Sequence, residues 1–361
     1  MYLGSDERRL YMASVNAIPG NFRTIERLNV YEDVIDVYRE GDVVGEYPIY
    51  IQFKGEMAID EGGVQREMFS AFWEKAYSTL FEGASLLTPM NHPQMDMSVF
   101  PIIGRILSHG YLVAGVLPIR IALPTLTCML LGPTAVITRD VLLDTFLDFI
   151  SATERAIFKK ALLFEAEKVY PIDMQEELMG TLAGFGCRVL PKPSTLTTVI
   201  EQVARYEFMS KPAASIALVF SGIPLTHKGY WSSKCPADLQ AIYRRLSLSS
   251  RKVNSLLSFP DTFTQQEARV AGYLRTMIGN MQHGELRHLM RFITGSCVCI
   301  TPEIKITFNS LSGLARRPIA HTCDSSLELP SSYANYDDFF REFNAILMQT
   351  DNDFSWRMDA V

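Results

Sequence analysis

The chain has 361 residues, 48% of them hydrophobic and 20% charged, with a formal net charge of −6. This composition argues for two packed units and against a disordered chain, and an acidic balance without a basic patch argues against a nucleic-acid surface. Six cysteines without the spacing of a disulfide framework fit a reducing compartment, cytoplasmic or nuclear.

Residues 1–9 are charged where a secretory signal needs an apolar core, so no export segment is expected. Between 21 and 48, Tyr31, Val34, Ile35 and Tyr38 recur at helical spacing and predict one amphipathic helix before Gly41. Apolar residues then alternate over 49–53 as a half-buried strand requires. The run 54–63 reads as a turn and a helix start, with Asp60 as N-cap and Val64, Met68, Phe72 and Trp73 carried by the helix. Gly62 and Gly63 permit a tight approach that a side chain would block. No lysine follows in the Gly-x4-Gly-Lys-Ser/Thr pattern, so a phosphate cradle is not read there.

Beside Gly110, His109 reads as a satisfied core or loop histidine. The most apolar stretch, 111–136, contains Arg120 and is broken by Pro118, Pro124 and Pro133, which predicts a buried pair of helices and no membrane span. Thr138 is a cap for a helix with Val141, Leu142, Thr145, Phe146 and Phe149, and 156–169 predicts another within a mostly helical stretch, 138–240. After Pro191, Pro193 and Ser194, the residues Leu196, Val199, Ile200 and Val203 fall at i, i+3, i+4 and i+7 and read as core, not as an open groove.

Small polar residues at 247–252, ending in Arg251 and Lys252, predict a linker that Pro260 closes. Helices are expected at 262–278 and 285–294, the second with Leu286, Leu289, Met290 and Ile293 on one face and Gly295 at its C-terminal stop. Ile304, Ile306 and Phe308 alternate as a strand, and Asn335 caps a helix that turns Tyr336, Phe339, Phe340, Phe343, Ile346 and Leu347 inward. No internal repeat of solenoid length is present.

The candidate chemistry lies at 317–330, where Cys323 sits in a polar, loop-like setting with His321 two positions before it. A thiol is already partly ionised near neutral pH, which makes it the common side chain best suited to carry an acyl group covalently. On an extended segment, side chains two apart share a face, so His321 is placed either to assist Cys323 or to fix the loop by a hydrogen bond. Thr322 points the other way as a packing residue. Cys297 and Cys299 form a C-x-C near His288 without a second ligand pair, so no metal is read from them, and no cofactor is implied.

The string Pro318, Ala320, His321, Thr322, Cys323, followed by Leu327-Glu328-Leu329-Pro330 and Tyr333, resembles the signature around the active-site cysteine of HECT-type ubiquitin ligases. Phe53, Gly55, Glu56, Asp60, Gly62, Gly63, Arg66, Glu67 and Phe69 are similar to the element near the start of that family's domain. Phe292, Thr294, Gly295 and Ser296 resemble its small-lobe "FxTGS". A weaker similarity covers 100–110, and the last predicted helix is similar to the family's closing helix.

This resemblance spans roughly 25–350 and implies an α+β, bilobal fold. A mainly helical large lobe, 1–250, would dock the ubiquitin-conjugating enzyme, and a small α/β lobe, 251–361, would carry the catalytic cysteine across a flexible hinge. It implies a ubiquitin-protein transferase in which Cys323 takes ubiquitin as a thioester and passes it to a lysine of a protein substrate. The partners are a conjugating enzyme, ubiquitin and the substrate, with neither nucleic acid nor membrane. The chain reads as a ligase domain alone, either a fragment or one whose recruiting surfaces the sequence does not advertise. It departs from the family at Asp324-Ser325, where an aromatic residue and Asn are usual, and in the tail, where Phe354 and Trp356 do not match the usual phenylalanine. A carboxylate at 324 disfavours the thiolate by like-charge repulsion, which keeps open a catalytically weak scaffold that binds ubiquitin or conjugating enzymes. A cysteine protease would need a nucleophile turn that is absent.

Overall fold

The computed structural model describes residues 22–39, 49–56, 62–262 and 264–352. The fold is α+β and mostly helical, with small sheets. In chain order it runs β1 (Phe22–Ile25), α1 (Val30–Arg39), β2 (Tyr50–Phe53), α2 (Gly63–Leu80), β3 (Phe81–Glu82), β4 (Thr88–Pro89), α3 (Val99–Ala114) and α4 (Leu123–Leu131). It continues with α5 (Arg139–Phe149), α6 (Ala152–Leu162), α7 (Ile172–Gly184), α8 (Leu196–Arg205), α9 (Ala213–Gly222), α10 (Leu225–Ser232) and α11 (Pro236–Leu246). The last part holds α12 (Ser250–Leu256), β5 (Leu257–Ser258), α13 (Gln265–Asn280), α14 (His283–Thr294), β6 (Ile304–Asn309), β7 (Ile319–His321), β8 (Ser326–Pro330) and α15 (Tyr336–Asn352).

Backbone contacts divide the chain into two compact units. One gathers the described residues up to Lys75, His109–Leu117 and those from Ile242 onward, and the other gathers Ala76–Ser108 and Pro118–Ala241. The C-terminal segment thus clusters with the N-terminal one.

In the first unit β1 and β2 pair in parallel, with Phe22 opposite Tyr50 and Ile25 opposite Phe53. Helix α1 buries Val30, Val34, Ile35 and Tyr38, the stripe expected from its spacing. Its Tyr38 hydroxyl lies 2.6 Å from Nδ1 of His109, and both side chains are fully buried, so His109 is a core histidine hydrogen-bonded at Nδ1. The C-terminal part of the unit is a four-stranded sheet in the order β5-β6-β8-β7, parallel except for the antiparallel β7–β8 pair. Its core joins Val270 and Leu274 of α13, Leu289 and Ile293 of α14, Ile304, Ile306, Leu327 and Leu329 of the strands, and Phe339, Phe343 and Leu347 of α15. Burial in such a cluster stabilises by roughly 1.5–3 kcal/mol per large apolar side chain.

The second unit is built on α4, whose residues Leu123 to Leu130 are all buried. The stretch 111–136 is buried as expected over α4, but it holds one full helix and the end of α3, not a pair of helices. Thr125 within it donates to the Phe208 carbonyl at 2.7 Å. Helices α5 to α8 share a core of Leu142, Phe146, Phe158, Leu178, Leu182, Leu196 and Ile200, which places the 196–203 stripe inward. Among the described residues no helix is long and apolar enough to cross a membrane.

Several expectations change. The helix predicted at 156–169 begins at Ala152, where Ser151 and Glu154 form a reciprocal capping box, and stops at Leu162. The one predicted at 262–278 starts at Gln265 for the same reason, with Thr264 and Glu267 as the box. Phe340 is 40% exposed, because the inward stripe of α15 is Phe339, Phe343 and Leu347. The stretch 247–252 is no loose linker. Ser249 caps α12 by accepting from the Lys252 amide at 3.2 Å. The Lys252 ammonium donates to the carbonyls of Arg244 at 3.3 Å, Ser247 at 2.9 Å and Arg245, which ties off the end of α11. Asp60, read as an N-cap, and Phe354 and Trp356 lie outside the described residues.

Candidate active site around Cys323

Strands β7 and β8 form a hairpin in which His321 pairs with Ser326, leaving 322–325 as the turn. Cys323 is exposed on that turn. Ser325 closes it at φ 58°, a left-handed conformation that a non-glycine residue adopts only when its surroundings hold it. Two bonds do so: the Lys305 amide of β6 donates to the Ser325 carbonyl at 3.2 Å, and the Ser326 hydroxyl donates to the Asp324 carboxylate at 2.7 Å. The thiol is therefore carried by a turn that is fastened on both sides.

His321 stands opposite a carboxylate. Its Nε2 lies 3.7 Å from the Glu328 carboxylate across the hairpin, where both side chains are partly exposed. Thr322 meets a residue far off in sequence: a Cβ added to Gly63 would come within 2.6 Å of its Oγ1 and 3.4 Å of the Cys323 amide nitrogen. Only the absence of a side chain at 63 lets the turn lie against the start of α2.

The same face of α2 holds the cysteine turn and the end of α14 together. Arg66 donates from Nε to the Thr294 carbonyl at 2.8 Å and from its other arm to the Thr322 carbonyl. Ser70 donates to the Gly295 carbonyl at 3.1 Å and accepts from the Cys297 amide at 3.2 Å. Gly295 ends α14 at φ 74°, and a Cβ there would stand 2.7 Å from the Gly63 carbonyl oxygen. Glu67, one position past Arg66, accepts from Arg291 at 2.7 and 3.0 Å and from Arg27 at 3.3 Å. Burial works to raise its pKa, but the charges and hydrogen bonds of Arg291 and Arg27 outweigh burial and hold the carboxyl below the usual range. Arg27 also bonds Glu56 and lies over the Phe53 ring, 3.9 Å from its centre, and Arg287 pairs with Glu74.

The structure thus joins three of the stretches singled out in the sequence: the glycine pair, the 292–296 run and the cysteine turn. What the sequence reading missed is the connecting role of Arg66 and Ser70, since a partner 256 residues away leaves no trace in local spacing. The remaining thiols differ from Cys323. Burial pushes Cys128 up to about 11, and burial also raises Cys297, Cys299 and Cys187. Cys235 is exposed at the start of α11, where its amide donates to the Asp238 carboxylate at 2.8 Å. An exposed thiol on a fastened turn is open to a bulky acyl donor while its direction stays fixed. No protein-family model matches this chain.

Proposed function

We propose that this chain is a ubiquitin-protein transferase of the HECT type, working through Cys323 in a reducing compartment, cytoplasmic or nuclear. The Cys323 thiolate attacks the thioester carbonyl that joins ubiquitin's C-terminus to a conjugating enzyme, and the conjugating enzyme's cysteine leaves as its thiol. A substrate lysine amine then attacks the new thioester, the amide forms, and Cys323 is released. The first transfer is nearly balanced in energy and the second is downhill, so the protein's task is proximity and orientation more than bond polarisation. In this reading 1–250 serves the conjugating enzyme and 251–361 carries the thiol. His321, paired to Glu328, keeps the hairpin in shape.

The observation that supports the reading best is the exposed thiol of Cys323 on a turn braced by Gly63 and Arg66. The two stretches with the strongest resemblance to the family meet in that one contact. A second reading, a catalytically weak scaffold that binds ubiquitin or conjugating enzymes, draws on two observations: His321 faces Glu328, and a carboxylate follows the cysteine.

The test is to mix the protein with several ubiquitin-charged conjugating enzymes and to resolve the products without reductant. A thiol-sensitive ubiquitin adduct that disappears in Cys323→Ala supports the transferase. Absence of an adduct with every charged enzyme, together with retained binding, leaves the scaffold.

A further inference from the structure

We infer that Arg66 is a positioning residue for Cys323, acting through the carbonyl of Thr322; as a statement about transfer, this rests on the reading of Cys323 as the thiol that carries ubiquitin. Arg66 stands on α2, and its guanidinium reaches two carbonyl oxygens that have nothing to do with each other in sequence. One is that of Thr294, the last residue of α14, where helix geometry leaves the carbonyl without an intrahelical partner and a cation is favoured. The other is that of Thr322, the residue whose peptide plane leads directly into Cys323. The planar fork of an arginine fixes two acceptors relative to each other, and a single ammonium at the end of a lysine does so much less well.

The surroundings leave little freedom for that link. Gly63 lets Thr322 approach α2, and Gly295 lets the end of α14 do the same. Ser70 closes the far side on Gly295 and Cys297. With Thr322 held at its oxygen, and Ser325 held at its own oxygen by β6, the direction in which the Cys323 side chain leaves the turn is set from both ends. An attacking atom out of line by about an ångström loses on the order of a hundredfold in rate.

The experiment compares Arg66→Lys and Arg66→Ala with the wild-type chain in three measurements. The first is hydrogen exchange of the amides at 322–326, which needs no ubiquitin. Exchange is expected to speed up in Arg66→Ala and to be partly restored in Arg66→Lys, and unchanged exchange in Arg66→Ala overturns the inference outright. The second is single-turnover transfer from a charged conjugating enzyme. The maximal rate is expected to fall about 10- to 100-fold, with the half-saturating concentration changed less than about twofold. The third is alkylation of Cys323 by iodoacetamide, a small probe with little orientational demand, expected to stay within about threefold of wild type. A rise in the half-saturating concentration alone, or a parallel loss of alkylation and thermal stability, assigns Arg66 a merely structural role and overturns the positioning one. If the wild-type chain forms no adduct at all, the ubiquitin reading fails by itself, and the exchange data still decide whether Arg66 sets the turn.

Discussion

The carboxylate of Asp324 accepts a hydrogen bond from the Ser326 hydroxyl, 2.7 Å away, within the turn that carries Cys323. That carboxylate therefore takes part in the shape of the turn, and whether its charge also acts on the thiol is what substitution tests. Asp324→Asn separates them, because the amide keeps an acceptor for Ser326 while the charge is lost. At pH 7 and low ionic strength, Asp324→Asn is expected to speed iodoacetamide alkylation of Cys323 by about twofold or more, and added salt should shrink the gain. Asp324→Phe, which also deletes the acceptor, should gain less. Equal rates for all three at low salt would remove any electrostatic influence of Asp324.

Gly63→Ala should destabilise the chain by about 1–3 kcal/mol, since the new methyl group must displace Thr322 and the turn behind it. Combining it with Thr322→Ala removes the hydroxyl at 2.6 Å and leaves the next contact at 3.3 Å, so the double variant should lose less than the sum of the two singles. Urea unfolding midpoints of the four proteins measure this. Strict additivity would mean that the two residues do not meet in solution.

Glu67 predicts an acid limb of stability. Its folded pKa lies below the unfolded one, so its ionised form contributes stability in full above the unfolded value, roughly 4.3, and that contribution is lost as pH falls through the depressed folded value. Glu67→Gln takes the carboxylate from Arg291 and Arg27, which should cost about 1–3 kcal/mol at pH 7. It should also flatten the fall in stability on acidification below about pH 4. Chemical denaturation at a series of pH values checks both.

His227 predicts a second, higher window. In the second unit Trp231 donates to the Ser108 hydroxyl at 2.7 Å, and that hydroxyl lies 3.0 Å from Nδ1 of His227, with all three side chains buried. Burial pushes the His227 pKa down to about 4. Because the unfolded chain takes up this proton near pH 6.5, stability is complete above that value and declines as pH falls toward 4, by up to about 3 kcal/mol. His227→Asn keeps an acceptor near Nδ1 and should flatten stability between pH 6.5 and 4 while lowering it at pH 7. An unchanged slope would mean that the imidazole is already charged in the folded chain.

Lys252→Met should loosen the end of α11. The ammonium meets three carbonyls of 244–247, and without it those groups must find water. Faster hydrogen exchange confined to 246–253, with a loss of about 1–2 kcal/mol in urea, is expected. Exchange as slow as in the wild type would show that the caps alone hold the segment.

Much of the fold could be read from local chemistry. Val34, Ile35 and Tyr38 declared α1 through spacing, Gly295 declared the end of α14 through its conformational freedom, and the apolar run of α4 declared its burial. Strands β7 and β8 were missed because the signal is short: three and five residues do not establish a period. Helix starts moved where a capping box, Ser151 with Glu154 or Thr264 with Glu267, outweighed the apolar pattern. Lys252 reads as a solvated charge in a linker until one sees which carbonyls converge on it. At the site, the residue type and polar setting of Cys323 were legible, as was the need for small residues at 62 and 63. What presses against Gly63 was not legible, and neither was the turning of His321 toward Glu328, since both depend on pairings that only the tertiary fold creates.

The Arg66–Thr322 link also sets a timetable. At the usual pace of synthesis, the 256 residues between them take roughly 10–50 s to emerge. During that interval α2 has neither the turn nor the end of α14 to rest on, and Arg66 and Glu67 must stay hydrated on a nascent segment. The second unit, drawn from the intervening chain, has time to fold on the ribosome first. The cysteine-bearing turn thus reaches α2 only after the chain of the second unit has been made.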